Sequence, residues 1–263
     1  MRVRSTLRFL RALLATNLKA SFALRGAFWM QAVFMLANDL IFFTVWWIFF
    51  ARFESIGGWR LPDMMRLYAV LAGAFGAAVV LGGGVRELAR TISDGDLDAF
   101  LTQPKHPLVH VVTSKTNAAG WGDLANCALL LSLSGTVTLA SIPLVLVAVA
   151  AGAVVFVSVG VLFHSAAFWL GPVQTLARQM WEFLITFACY PDTLFAGGLR
   201  VLLFTALPAA FVGWLPAGLV ADFTWGRLAG VVLGALGFAA LAVLVFHAGL
   251  RRYASGNRFG VRA

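Results

Sequence analysis

Few ionisable residues interrupt the long apolar stretches of this chain, and those few are where chemistry would be done. Asp39, beside Asn38, falls near the middle of the first apolar run. A charged group in hydrocarbon is costly and turns toward an interior, a cavity or a partner. Substrate contact, an interhelix hydrogen bond and packing against Asn38 all fit it. Asp123 lies early in a later run, at the level of inner headgroups. Arg178 and Glu182, four apart at the start of another run, have the spacing of a structural ion pair on one helix face. His164 has no acid within sequence reach, the pattern of a packing histidine rather than a proton relay.

Catalytic constellations are hard to assemble from the rest. No GxxxxGK[ST] loop is present, so the chain itself is not expected to bind or hydrolyse ATP. His106 and His110 are four apart, but Pro107 stands between them and no HExxH pattern accompanies them, which leaves loop or surface histidines and no metal site. Ser93 and Ser114 lack a visible base and orienting group. Cys127 and Cys189 sit in apolar surroundings without ligand spacing. A membrane-embedded lipid-modifying enzyme would need an acid–base cluster that the sequence does not display. A proton-driven secondary transporter working through Asp39 and His164 is the other alternative reading.

The elements that position these residues follow from composition. Of 263 residues 61% are hydrophobic and 12% charged, with a mean hydropathy of +0.88. That balance belongs to an integral membrane protein. The apolar runs have helical length and do not show the alternation of a barrel, so the fold class is all-α. The net charge of +9 is concentrated by position. Arg2, Arg4, Arg8, Arg11, Lys19 and Arg25 precede the first span, and Arg251, Arg252, Arg258 and Arg262 follow the last, without acids among them. The positive-inside rule then puts both termini in the cytoplasm. No recognition motif supports nucleic acid as a partner. Within residues 1–26, Leu7, Leu10, Leu14, Leu18 and Phe22 recur every three to four positions, predicting an amphipathic helix on the inner leaflet.

Six transmembrane helices in a single domain are expected, at about 27–50, 67–85, 118–139, 144–170, a shorter fifth ending at Tyr190-Pro191, and 228–250. Gly82-Gly83-Gly84 at the end of the second permits either close helix approach or a break. Residues 199–220 are apolar, but Pro208 and Pro216 interrupt them. A seventh crossing would place the arginine-rich tail outside, so this stretch is expected to be a hairpin re-entering from the outer side. The 23 Phe and 9 Trp suit an amphipathic substrate and membrane anchoring equally.

The longest polar stretch, 86–116, returns to the cytoplasm and contains Thr91-Ile92-Ser93-Asp94-Gly95-Asp96-Leu97-Asp98-Ala99-Phe100-Leu101-Thr102-Gln103-Pro104. Ser93 or Asp94 as N-cap, acids in the first turn and Pro104 as terminator predict a helix of about two turns. Its stripe of Leu97, Phe100 and Leu101 suits either a groove on a partner or the chain's own spans. The pattern Gly95-x-Leu97-Asp98-x-x-Leu101-x-x-Pro104 after a second span resembles the permeases of ABC-2 transporters. Tyr190-Pro191, Leu199-Arg200-Val201-Leu202, Pro208-Ala209-Ala210-Phe211-Val212, Leu215-Pro216-Ala217 and Arg252-Tyr253-x-Ser255-Gly256-Asn257 are similar to a bacterial branch of that class, over nearly the whole chain.

The resemblance implies a permease of the bacterial inner membrane, of exporter type. It would pair with a second permease, a copy or a relative, and with a cytoplasmic P-loop ATPase dimer. ATP and Mg would be bound on that partner, with no cofactor on this chain. Residues 93–103 would form the coupling helix, with Gly95, Leu97, Asp98, Phe100, Leu101 and Pro104 serving contact with the ATPase. The hairpin at 199–220 would close the outer end of the route.

Overall fold

The computed structural model describes residues 2–103 and 106–253. Pro104 and the motif residues Ser255, Gly256 and Asn257, with Arg258 and Arg262, lie outside the described residues. Among the described residues every regular element is helical, apart from a single bridge between Ile56 and Trp59 in a loop.

The amphipathic pattern does form one helix, α1 (Arg2–Ala23), and a kink at Leu24 separates it from α2 (Arg25–Phe50). After a polar loop comes α3 (Leu61–Gly82), whose first turn is closed by the Asp63 carboxylate accepting the Arg60 N–H at 3.0 Å. A tight 3₁₀ turn (Gly83–Glu87) leads into α4 (Leu88–Ser93), then α5 (Asp98–Leu101) and α6 (Pro107–Thr113). The next helices are α7 (Gly120–Ser134), α8 (Ile142–Ser165), α9 (Ala167–Leu170) and α10 (Gln174–Ala188). A short arm α11 (Gly197–Phe204), a wide π-helical turn and α12 (Leu215–Ala221) precede the final α13 (Trp225–Leu250). Thr224 starts α13, its hydroxyl accepting the Arg227 N–H at 3.2 Å.

Four stretches are long and apolar enough to cross a bilayer: Arg25–Phe50, Leu61–Ser93, Leu139–Leu170 and Trp225–Leu250. They coincide with the expected spans one, two, four and six. The expected third and fifth fall on α7 and α10, each 15 residues long. At about 1.5 Å per residue that is roughly 22 Å, short of a hydrocarbon core of about 30 Å. Local chemistry shortens α7 at both ends. Gly135 takes a left-handed conformation (φ 63°), which only glycine adopts at little cost. At the start, Thr116 Oγ1 donates to the Val80 carbonyl at 2.6 Å and the Asn117 N–H to Val79 at 3.1 Å. The residues before Gly120 are thereby spent on holding the end of α3.

The hub is α3, flanked by α7 and α8, with α13 on the far side of α8 and α2 leaning on α7. A Cβ at Gly76 would lie 2.6 Å from the Gly120 carbonyl, so α3 and α7 touch backbone to backbone. The triple glycine does both things its sequence allowed. It ends α3 at Gly82, and Gly84 lies flush against α6, where a Cβ would fall 1.9 Å from the Val111 carbonyl. Residues 199–220 fold as two arms, Gly197–Phe204 and Ala210–Ala221, each far shorter than a span. Leu203, Ala209, Ala210, Val212 and Leu219 are all fully buried.

Candidate functional site

The segment between α3 and α7 is less helical than its sequence pattern predicted. Ser93 is the last residue of α4 rather than an N-cap, and Asp94 closes that helix with its N–H on the Arg90 carbonyl at 2.8 Å. Its carboxylate also meets Arg90 Nε at 3.3 Å. Gly95 then turns left-handed (φ 79°), and the Leu97 N–H returns to the Thr91 carbonyl at 3.1 Å. Only Asp98–Leu101 continues as helix. The expected continuous helix over 93–103 is therefore a turn plus a single helical turn. The physical reason is Gly95, which leaves the right-handed region between two acidic neighbours.

That turn splits the apolar stripe. Leu97 is fully buried in the chain's own core, Phe100 packs edge-on against His110 at 5.0 Å between ring centres, and Leu101 is 37% exposed. Tyr253, just past α13, holds the turn from the other side. Its ring meets Phe168 at 6.2 Å and its hydroxyl lies 4.0 Å from where a Gly95 Cβ would be. Burial, with the nearby Asp98 carboxylate adding to it, pushes the Tyr253 phenol up to about 12. The same segment is tied to α10: Gln174 donates to the Arg86 carbonyl and accepts the Arg90 N–H at 3.1 Å.

Arg178 does not pair with Glu182 as its spacing predicted. It reaches across to Glu87 at 3.0 Å, which lies on the 3₁₀ turn and is the more sheltered carboxylate. Glu182 is exposed and has no cation partner among the described residues. The Arg178–Glu87 pair is a second tie between α10 and the 86–101 segment.

His106 and His110 do not act together. His110 is held between Phe9 and Phe100, whereas His106 Nε2 meets His247 Nε2 at 3.2 Å. Burial, then His247, hold the His106 imidazole below its usual value. The folded state therefore binds fewer protons here than the unfolded chain, so stability rises with pH. The contribution is complete above the unfolded value near 6.5 and lost as pH falls through the lower folded value. On acidification from about pH 7 to about pH 5 the thermal midpoint of the detergent-solubilised protein should fall. His106→Gln should fall by visibly less, since glutamine keeps a hydrogen bond to His247 without taking up a proton; equal acid sensitivity would discard the contact as its source.

The structure joins two acidic residues that the sequence kept apart. Asp39 on α2 faces Asp123 and Asn126 on α7, with Asp123 and Asn126 2% and 1% exposed. Gly122 makes the approach possible: its Cβ would fall 2.2 Å from the Ala32 carbonyl. Asn38 points outward and takes no part. His164 is a packing histidine, its Nδ1 on the Gly160 carbonyl at 2.8 Å and its ring edge-on to Trp181.

At the opposite end from α1, Asp192 accepts from Arg200 at 3.1 Å and from Trp59 Nε1 at 3.3 Å. Arg227 pairs with Asp222 at 2.7 Å, and Arg66 with Asp63. Trp59, Asp63, Arg66, Asp192, Arg200 and Arg227, with Trp214, whose indole donates to the Tyr190 carbonyl, line a cavity of about 440 Å³. The sequence reading missed this ring; the Asp63-x-x-Arg66 spacing was its only local signal.

The model of a family described as ABC-2 family transporter protein matches residues 33–256. Comparison with curated proteins and with solved structures gives no match.

Proposed function

We propose, because the chain belongs to the ABC-2 transporter family, that it is the exporter-type permease of a complex powered by a separate P-loop ATPase. Family membership makes it a multi-pass membrane permease of an ABC transporter, the transport component rather than the catalytic one. The finer reading has six crossings, with α7 and α10 as short third and fifth spans extended by their flanking turns. Both termini face the cytoplasm of a bacterial inner membrane, α1 lies on the inner leaflet, and the α11–α12 hairpin re-enters from outside. A second permease, a copy or a relative, completes the route, and ATP and Mg bind on the ATPase dimer.

The observation that supports coupling best is the pair of ties from α10 to the 86–101 segment, through Gln174 and through Arg178–Glu87. A push on α5 from a closing ATPase dimer would be carried through α4 and the 3₁₀ turn into α3 and α10. Such an element transmits force only if it has two arrangements that the ATPase biases differently. Gly95 and Asp98 shape the lever, Leu97 and Phe100 seat it on the permease, and Leu101, followed by Pro104, meets the partner.

The test is purification of the tagged chain from its host membranes in mild detergent. Leu101→Arg, at an exposed site, should leave a stable permease while lowering the co-purified ATPase about tenfold or more. Leu97→Arg should instead reduce the permease itself, because it buries a guanidinium among apolar side chains. A wild-type chain that arrives without ATPase, or a Leu101→Arg chain that retains it in full, would overturn the coupling assignment.

A further inference from the structure

We infer that the elbow between α1 and α2 is a binding site for a phosphate-bearing anion, occupied by the headgroup of an anionic phospholipid of the inner leaflet. The inference rests on the proposed topology with α1 on that leaflet. A cavity of about 450 Å³ opens there, walled by Ser21, Leu24 and Gln31 on one side and by the 3₁₀ turn, residues 115–118 and α10 on the other. Three cations line it, Arg86, Lys115 and Arg178, against one carboxylate, Glu87. Glu87 is engaged by Arg178 at 3.0 Å. Arg86 and Lys115 have no carboxylate partner among the described residues. The Arg86 guanidinium instead sits 5.7 Å over the Trp181 ring, which fixes the stem while leaving N–H groups unspent. Two uncompensated cations facing a half-enclosed polar cavity suit a phosphate, which guanidinium binds through paired N–H donors and ammonium binds as a point charge.

The surroundings favour a lipid over a free anion. Phe28 lines both this cavity and an adjoining apolar groove of about 330 Å³ formed with Trp29, Val33, Leu36, Trp121 and Ala125. Leu24, at the mouth, is 73% exposed, and Trp29 is 61% exposed. A ligand with a charged head and an acyl chain would satisfy both halves, its chain passing Phe28 along α2 and α7. A free phosphate would use only the first.

The experiment is native mass spectrometry of the detergent-purified chain, with its partner subunits, after exposure to phosphatidylglycerol or to phosphatidylcholine. Wild type should retain phosphatidylglycerol preferentially. Lys115→Gln, an exposed position outside any ion pair, and the double change Arg86→Gln/Lys115→Gln should lower its occupancy progressively, to about tenfold for the double variant, with phosphatidylcholine adducts unchanged in both and the thermal midpoint unchanged in Lys115→Gln. Equal retention by wild type and the double variant, or no preference between the lipids, overturns the site. Displacement of the lipid by inorganic phosphate, with no response to acyl chain length, would assign the cavity to a free anion and overturn the lipid as occupant. Labelling of Arg11→Cys only from the cytoplasmic side shows that the topology holds; labelling from outside would overturn the topology instead of the cation cluster.

Discussion

Gly84→Ala should be among the most damaging single-methyl changes in the molecule. The added Cβ would lie 1.9 Å from the Val111 carbonyl, 2.6 Å from Ser114 Oγ and 2.9 Å from the Val112 carbonyl. Two of those three neighbours are backbone, so no side-chain rotation relieves the contact, and the 3₁₀ turn must separate from α6. Overpacking of this kind costs roughly 3 kcal/mol, which lowers a thermal midpoint by about 6–12 °C in a chain of this size. The comparison is Gly230→Ala on α13, where nothing lies within 4 Å of the added atom. There alanine should be neutral or stabilising, since it is the better helix former by about 1 kcal/mol. Similar midpoints for the two variants would mean that the contact between the turn and α6 is not rigid.

The functional consequence follows from where Gly84 stands. It lies between α3 and α4, in the stretch that carries Glu87 and Arg86, the residues through which α10 is tied to the 86–101 segment. On the proposed coupling route, loosening that turn breaks the lever at its root. A variant that still inserts should lose transport before it loses ATPase binding, because the exposed face of α5 is untouched.

Legibility from sequence divided along a physical line. The four long spans and α1 were readable because hydrophobic length and three-to-four periodicity are local properties that no tertiary contact overrides. The third span was overread because apolar residues continue past points where Gly135 and the Thr116–Asn117 capping of α3 end the helix. In the coupling segment the dipeptide Asp94-Gly95 was a turn signal, yet the N-cap preference of the same aspartate pointed to a helix start. Leu97 could not be assigned to the core or to a partner, since both uses demand the same apolar spacing. The Asp39–Asp123 contact was invisible for a geometric reason. Taking the third span to begin at the membrane surface put Asp123 at headgroup level, whereas residues 114–119 run along the end of α3 and deliver Asp123 to the depth of Asp39.

Asp39 and Asp123 should behave as a unit, and the strongest sign of it will be non-additivity. Asp39→Ala leaves Asp123, 2% exposed, without the carboxylate it faces and with its Oδ2 already unpartnered. A buried polar or charged group stripped of its partner costs about 3 kcal/mol or more. Removing both, in Asp39→Ala/Asp123→Ala, also removes the stranded carboxyl. The double variant should therefore be no less stable than Asp39→Ala alone, a coupling of more than about 1 kcal/mol between the sites. Asp39→Asn predicts the opposite extreme. Two ionised carboxylates in contact repel, and only a proton between them makes the contact a hydrogen bond; an asparagine amide donates that hydrogen permanently, so the cost should stay below about 1 kcal/mol. Thermal midpoints of the three variants in one detergent measure all of this. Additive losses from the two alanines would show that α2 and α7 are not joined through this pair, and that Asp39 is then held for contact with substrate or with the second permease.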